Sequence, residues 1–316
     1  MSTLATIPTI DLADYREGDD IARRRFVSTL GDGFRTFGFL TIENHGLRPE
    51  LMSAVYEDFR AFFALEEEIK AKLSGVEGGA RGFTPFGVEH AKGSSQPDLK
   101  EFFHVGQTAA PGAGEADYPA NVWPDEVPSL RANALELYRG LEQVARTILH
   151  ATADHFELPR ETFSAMIEGG NSILRAIHYP PIPDDAPAGA VRAAAHEDIN
   201  FITLLCEATE SGLELLTHDG AWMPISALKG QIVVDVGDML SRVTNQVLPA
   251  TTHRVVNPAG AENRDRYSIP FFVHPYPAAD LTVMERFVSD ERPARFEPIT
   301  AGQFLDQRLR EIGLKS

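Results

Sequence analysis

From residue 173 onward the chain breaks into short β-prone segments, 173–179, 201–206, 212–216, 221–225, 231–236, 250–257 and 266–274, with Gly, Pro, Asn or Asp between them. This rhythm constrains the fold more than any other feature. Short strands at regular spacing, punctuated by turn residues, bury a shared face by closing into an all-β barrel or a double-sheet jelly roll. Upstream the pattern is different. Ile21, Phe26, Leu30, Phe34 and Phe37 recur at roughly helical spacing, and so do Leu51, Val55, Phe59, Phe62 and Phe63, so 20–75 reads as helix. Gly38 to Gly46 interrupts it with β-rich residues that end at Asn44 and Gly46, which predicts a short strand and a turn. Residues 76–126 are rich in Gly, Pro and Ser and weakly periodic; a connection this long is functional or mobile, and 76–96 is a candidate lid. A helical pattern returns over 129–156, and a last helix is expected at about 301–312. The order is helices first, then a β core placed to carry the chemistry, with no repeat of 20–50 residues.

A chain of 316 residues fits one compact unit, since barrels and sandwiches of about 200–250 residues routinely form a single domain. The net charge of −17, from 46 acidic against 29 basic residues, disfavours nucleic acid and anionic membrane surfaces as partners. Arg23, Arg24 and Arg25 sit inside a helical pattern and read as a solvated face. The one cysteine, Cys206, lies in the apolar run Phe201–Cys206, so no intramolecular disulfide is available and the thiol reads as core. The N-terminus has no basic segment followed by an apolar one, and no stretch approaches 18 uninterrupted apolar residues. The expectation is a cytoplasmic protein.

Within the β region, Ala195-His196-Glu197-Asp198-Ile199-Asn200 reads as the start of a strand. His196 and Asp198 are two apart, so an extended chain points both side chains to one face. His253 follows 55 residues later, in another β-prone segment that a closed barrel can bring opposite the first. Two imidazoles and a carboxylate on one side of an ion leave its other positions open, the arrangement that non-haem iron(II) uses to bind O2 and an organic co-ligand. Taken alone, the pattern also fits a polar strand start and an unrelated core histidine. The remaining histidines show no zinc-site spacing, and His274, near a strand end, reads as structural.

Arg266 and Ser268 repeat the two-residue spacing, 13 residues after His253. A guanidinium fork beside a hydroxyl suits a carboxylate, and an arginine inside a barrel needs an anion to offset its desolvation. An edge-strand arginine in water is the other reading.

These residues together resemble the isopenicillin N synthase-like family of iron(II)/2-oxoglutarate-dependent dioxygenases. The likeness is carried by His196-x-Asp198, the distal His253 and Arg266-x-Ser268 in that order. It extends to Gly212-Leu213-Glu214, Asp219-Gly220-Ala221-Trp222, Val236-Gly237-Asp238, His253-Arg254-Val255 and Ser268-Ile269-Pro270-Phe271-Phe272. Upstream, Gly38-Phe39, Asn44-His45-Gly46 and Asp98-Leu99-Lys100-Glu101 resemble the family's N-terminal part.

The resemblance implies an α+β fold whose β core is a double-stranded β-helix (jelly roll), flanked by N-terminal helices and a C-terminal helix. Residues 1–126 would form the N-terminal helical module and 127–316 the catalytic core, together one unit. It also implies Fe(II) held by His196, Asp198 and His253, 2-oxoglutarate held by Arg266 and Ser268 with Tyr179 in contact, O2 as oxidant, and a small-molecule substrate that is hydroxylated or desaturated. Three positions depart from the family pattern: Ile177 and Asp235 where Asn is common, and Gln246 where Gly is common. None of them is expected to touch the triad or the Arg-x-Ser pair.

Two other functions stay open at this point, an iron oxidase of the same family that uses O2 without 2-oxoglutarate and a non-catalytic jelly roll that binds a small ligand. Phe39, Phe83, Phe86, Phe201 and Phe271 are pocket candidates, although each also reads as core.

Overall fold

The computed structural model describes residues 6–76, 80–89, 98–108, 118–182, 186, 191–206, 208–225, 230–257 and 262–311. Strand β1 (Thr9–Asp11) leads through α1 (Leu12–Arg16) into α2 (Asp20–Phe37). Helix α2 starts where the Asp19 carboxylate accepts from the backbone N–H groups of Ile21 and Ala22, and it stops at Gly38. Gly38 has φ of 67°, and a Cβ there would collide with Thr251 Oγ1, so both its backbone and its surroundings require glycine. The chain then enters β2 (Phe39–Glu43), the short strand expected from 38–46.

Helices α3 (Pro49–Phe63) and α4 (Glu67–Ala71) precede β3 (Gly82–Thr84) and β4 (Glu101–Gly106), and α5 (Leu130–His155) and α6 (Ser164–Ile167) follow. Next come β5 (Ile173–Tyr179), β6 (Ala193–His196), β7 (Ile202–Cys206), β8 (Leu213–Leu216), β9 (Trp222–Pro224), β10 (Ile232–Val236), α7 (Asp238–Val243), β11 (His253–Val255), β12 (Arg266–Val273) and α8 (Ala301–Glu311).

Eight strands form one sheet in the order β1-β2-β10-β7-β12-β5-β4-β3, and four form a second in the order β6-β11-β8-β9. All pairs are antiparallel except β1 with β2. This is the expected double-stranded β-helix with flanking helices, and the period-2 alternation of its strands sorts side chains into two cores. On the outer face of the large sheet, Val105, Leu174, Val234, Ile269 and Phe271 join the helices in one apolar core. On the inner face, Phe102, Ile177, Tyr179 and Val233 pack toward Leu213, Leu215 and Val255 of the small sheet. The inner face of β12 therefore carries Arg266, Ser268 and Phe272.

Differences from the sequence reading have physical causes. Strand β4 was hidden in the weakly periodic 76–126 because all six of its residues are buried, leaving no polar–apolar alternation to detect. Its buried Glu101 is held by Lys70 Nζ at 2.9 Å and by His178 at 2.7 Å. The β segment at 250–257 is reduced to His253–Val255. Part of the proposed lid, 77–79 and 90–96, lies outside the described residues, and the described part contains β3. Gln246, where glycine is common in the family it resembles, has φ of 60°, in the left-handed region that favours glycine. Its side chain accepts from Arg295 Nη1 at 2.6 Å, which helps hold that backbone. Of the three arginines in α2, Arg23 and Arg25 pair with Asp154 and Asp14 and stay partly exposed, as a solvated face should. Among the described residues no helix is long and apolar enough to cross a membrane.

Phe103 of β4 is fully buried, with its ring 4.8 Å from Phe62 and 5.9 Å from Phe59. Phe103→Ala should cost about 3–5 kcal/mol of unfolding free energy. Chemical denaturation checks this, and a loss below about 1 kcal/mol would mean that β4 does not tie the N-terminal helices to the sheet.

Candidate metal centre

His196 ends β6 and His253 begins β11, and the two are direct cross-strand partners in the small sheet. The 55-residue separation therefore collapses to adjacent positions, with ring centroids 4.5 Å apart. Asp198 sits two residues past the end of β6, in the turn toward β7, rather than on the strand expected for 195–200. That turn still directs it to the same point: Asp198 Oδ1 lies 3.7 Å from the Nε2 atoms of both histidines. One ligand atom from each of the three residues falls within 4.8 Å of the others. Atoms bound to one ion at about 2.1 Å lie no more than about 4.2 Å apart, so the carboxylate-to-imidazole separations fit an ion between them.

Each imidazole is turned by its other nitrogen. His196 Nδ1 is 2.7 Å from the Ala194 carbonyl, and His253 Nδ1 is 3.1 Å from the Thr251 carbonyl. A carbonyl only accepts, so both Nδ1 atoms carry hydrogen and both Nε2 lone pairs face the shared point. Burial, and after it the neighbouring His253, lower the His196 pKa, which keeps the ring neutral and able to ligate. The Phe39 ring meets His253 edge-on at 5.5 Å and limits its rotation.

Asp198 is held from two sides. Thr203 Oγ1 donates to its Oδ2, and Asn200 Nδ2 donates to Thr203 Oγ1 at 2.9 Å. Asp235 of β10 also hydrogen-bonds to Asp198, and burial followed by the Asp198 charge raises the Asp235 pKa strongly. The expectation that none of the three departures touches the triad is thus wrong for Asp235. On an antiparallel sheet it lies directly across from Thr203, and the carboxyl must keep its proton to sit against a carboxylate. Ile177, the other inner-face departure, is apolar wall.

Arg266 and Ser268 do share the inner face of β12, with Nη1 donating to Oγ at 3.3 Å and exposures of 1 % and 3 %. Tyr179 is opposite Arg266 in the register, and the guanidinium sits 5.0 Å from its ring centre. Sequence reading missed Arg192, four residues before His196. It is 2 % exposed, donates to the Arg264 carbonyl at 2.6 Å and leaves Nε without a partner. Among the described residues neither Arg192 nor Arg266 has a carboxylate within ion-pair distance, so this corner of the barrel is built for an anion.

A cavity of about 500 Å³ opens beside His196 and Asp198. Its lining includes Lys100, His104, Asn171, Arg175, Phe272 and His274, together with Leu305, Arg308 and Leu309 of α8. His274, read as structural, faces this cavity, with Nδ1 unpartnered among the described residues and its pKa pushed down to about 4 by burial. None of the five phenylalanines considered as pocket residues lines it. Phe39 packs in the inner core, Phe83, Phe201 and Phe271 in the outer one, and Phe86 is exposed. Phe272, their neighbour of opposite parity, takes the place. Cys206 is buried core as expected, with its thiol pushed up to about 12 by burial.

Comparison with known proteins gives the same picture. Residues 7–126 match the family described as non-haem dioxygenase in morphine synthesis N-terminal, and residues 170–275 match the 2OG-Fe(II) oxygenase superfamily. A Metarhizium rileyi 2-oxoglutarate-Fe(II) type oxidoreductase, ppzD, is 30% identical over 96% of this chain and 90% of its own length. The crystal structure of a Caulobacter crescentus protein assigned to the 2OG-Fe(II) oxygenase family is 43% identical, with a TM-score of 0.87 over 98% of this chain and all of that one. A full-length Neurospora crassa protein, solved in complex with α-KG and thymine, is 27% identical with a TM-score of 0.86, covering 96% of each chain.

The Thr203 bond to Asp198 gives a direct test. Thr203→Val should keep the fold and weaken divalent-metal binding about 10- to 100-fold. Equilibrium metal titration measures it, and unchanged affinity would remove Thr203 from the centre.

Proposed function

The chain belongs to the 2OG-Fe(II) oxygenase superfamily, and from that premise we propose that His196, Asp198 and His253 hold the iron while Arg266 and Ser268, beside Tyr179, hold the distal carboxylate of 2-oxoglutarate. The enzyme is an Fe(II)- and 2-oxoglutarate-dependent oxygenase. The observation that carries the residue assignment is the convergence of two Nε2 lone pairs and one carboxylate oxygen on one point, with His196 and Asp198 lining the cavity. Three such donors neutralise part of the charge of a divalent ion and leave positions on its far side for an oxo acid and O2.

Bound there, iron supplies the redox chemistry by which O2 oxidises 2-oxoglutarate to succinate and CO2 and oxidises a substrate C–H bond. The chain's own residues supply order. The Ala194 and Thr251 carbonyls fix the tautomer and rotation of the two imidazoles. Thr203 and the protonated Asp235 share the Asp198 charge, which keeps one oxygen directed at the ion. Arg266 pairs with a carboxylate whose charge offsets its own burial, and Ser268 adds a hydroxyl next to it. The cavity limits water around the reacting atoms.

The substrate is a small organic molecule that is hydroxylated or desaturated. The cavity is in the usual range for small-molecule sites, and the Neurospora crassa relative was solved with thymine bound. Residues 1–126 and 127–316 work as one unit in this reading, because β2 and β4 of the first part are strands of the sheet that carries Arg266. A cytoplasmic setting fits the single, buried, unpaired cysteine.

Anaerobic loading should give one Fe(II) per chain, and His196→Ala should abolish it; unchanged loading of the variant would overturn the metal assignment. Arg266→Met should leave iron binding intact and weaken 2-oxoglutarate binding at least about 30-fold, the loss expected for a buried charge-assisted pair. Calorimetric titration of the metal-loaded protein reads both, and equal oxo-acid affinity in the variant would place that carboxylate elsewhere. Succinate release on addition of O2 to the loaded wild type with a turned-over substrate completes the assignment.

A further inference from the structure

The cavity wall beside the metal centre is an ion network. Lys100 Nζ donates to Glu89 at 2.7 Å and to Asp98 at 2.8 Å, and Arg175 Nη1 donates to the same Glu89 at 3.1 Å. Arg175 Nε donates to His104 Nε2 at 2.6 Å. Asp98 reaches the metal strand directly, since its Oδ1 accepts from Ala194 N at 3.0 Å, two residues before His196. All four charged side chains are largely buried, at 7 % exposure for Lys100, 6 % for Asp98, 11 % for Glu89 and 17 % for Arg175. Two cations against two carboxylates make the wall electrically neutral, so no spare charge calls for a counter-ion.

Hydrogen bonding is not balanced in the same way. Glu89 Oε2 already takes bonds from two cations, and both Asp98 oxygens are in use. Several of the groups with capacity left are donors, clustered around Arg175. Arg175 Nη2 has no partner among the described residues, Lys100 has a third N–H beyond its two carboxylates, and Asn171 uses only its Oδ1, to accept from Arg81. All three residues line the cavity, where a ligand that supplies acceptors can meet these donors. The orientation is held by two aromatic rings. The Arg175 guanidinium carbon lies 4.3 Å from the Phe102 ring centre and 5.1 Å from that of Phe272. Ile173, Phe272, Leu305 and Leu309 add apolar surface to the lining of the same cavity.

We propose that this wall reads the substrate: it takes a compact molecule whose carbonyl or carboxylate oxygen accepts from Arg175, Lys100 and Asn171, with its hydrocarbon part against Phe272 and the α8 leucines. Arg175 is the specificity residue in contact with substrate. Glu89 is a positioning residue that holds Arg175 and Lys100 side by side, and Asp98 ties them to the strand of His196. This rests on the iron and 2-oxoglutarate assignment above. It adds that the second ligand of the cavity is acceptor-bearing and small.

Benzoate, benzamide and toluene test it, having one ring with a carboxylate, an uncharged carbonyl and neither. Binding is measured by ligand-observed NMR on anaerobic protein loaded with Fe(II) and saturated with 2-oxoglutarate. Benzoate or benzamide should bind at least about 10-fold more tightly than toluene, and the better of the two tells a carboxylate reader from a carbonyl reader. Arg175→Leu should abolish that preference while metal and 2-oxoglutarate affinities stay as in wild type, and Arg175→Lys should restore part of it. Equal binding of all three probes, or an unchanged preference in Arg175→Leu, would overturn the proposal. Loss of 2-oxoglutarate affinity in that variant would also overturn it, because Arg175 would then serve the oxo acid. Wild-type protein that binds neither iron nor 2-oxoglutarate would instead overturn the earlier assignment.

Discussion

The pairing of His253 with His196 across two strands of the small sheet is the constraint on which the site depends. An antiparallel register that slips by one residue turns every side chain to the opposite face. Here it sets two imidazoles side by side, and backbone carbonyls two residues before each one turn their Nε2 atoms to one point. Asp198 completes the set from a turn, where it needs more support than a strand residue would. Thr203 and Asp235 of neighbouring strands in the large sheet provide it. The centre thus bridges the two sheets, with the histidines on one and the supports of the carboxylate on the other.

The same alternation divides labour along β12 and β5. Odd residues of β12 build the apolar contact with the helices, while Arg266, Ser268 and Phe272 line the interior. On β5, Arg175, Ile177 and Tyr179 follow one another at spacing two, from the polar cavity wall past an apolar patch to the anion corner. The interior therefore runs from the buried arginines Arg266 and Arg192 to the ion-paired wall at Arg175 and Lys100. Few charged side chains can be buried without partners. The cavity wall meets this by internal ion pairing, whereas the Arg266 corner has no carboxylate partner among the described residues, which is what the proposed oxo-acid site requires.

Much of this was legible from residues alone. The strand rhythm after 173 pointed to a barrel or a double-sheet jelly roll, and the spacing-two pairs His196/Asp198 and Arg266/Ser268 offered a metal and a carboxylate site that the family resemblance then singled out. The strand reading holds for Arg266/Ser268, whereas Asp198 reaches His196 from a turn. Other parts depend on contacts that no local pattern encodes. Strand β4 is buried on both faces and shows no alternation, so His104 within it and Lys100 just before it gave no sign of facing the site. Arg175 could have been found by counting back from Tyr179 along β5 at spacing two, and Phe272 by taking the opposite parity to Phe271. Arg192 could not, since a charged residue near a strand reads as surface until its neighbours across the sheet are known. Asp235 stood out only as a departure from the family pattern, its contact with Asp198 depending on the register of β10 against β7.

The central claim, that iron sits where these three side chains converge, is tested most directly by diffraction from crystals grown with Fe(II) without oxygen. Data collected on either side of the iron absorption edge locate the metal from its anomalous signal. The account predicts one peak within bonding distance of His196 Nε2, His253 Nε2 and a carboxylate oxygen of Asp198, with both Nδ1 atoms still on their backbone carbonyls. A peak ligated through an Nδ1 atom, or one elsewhere in the chain, would contradict it.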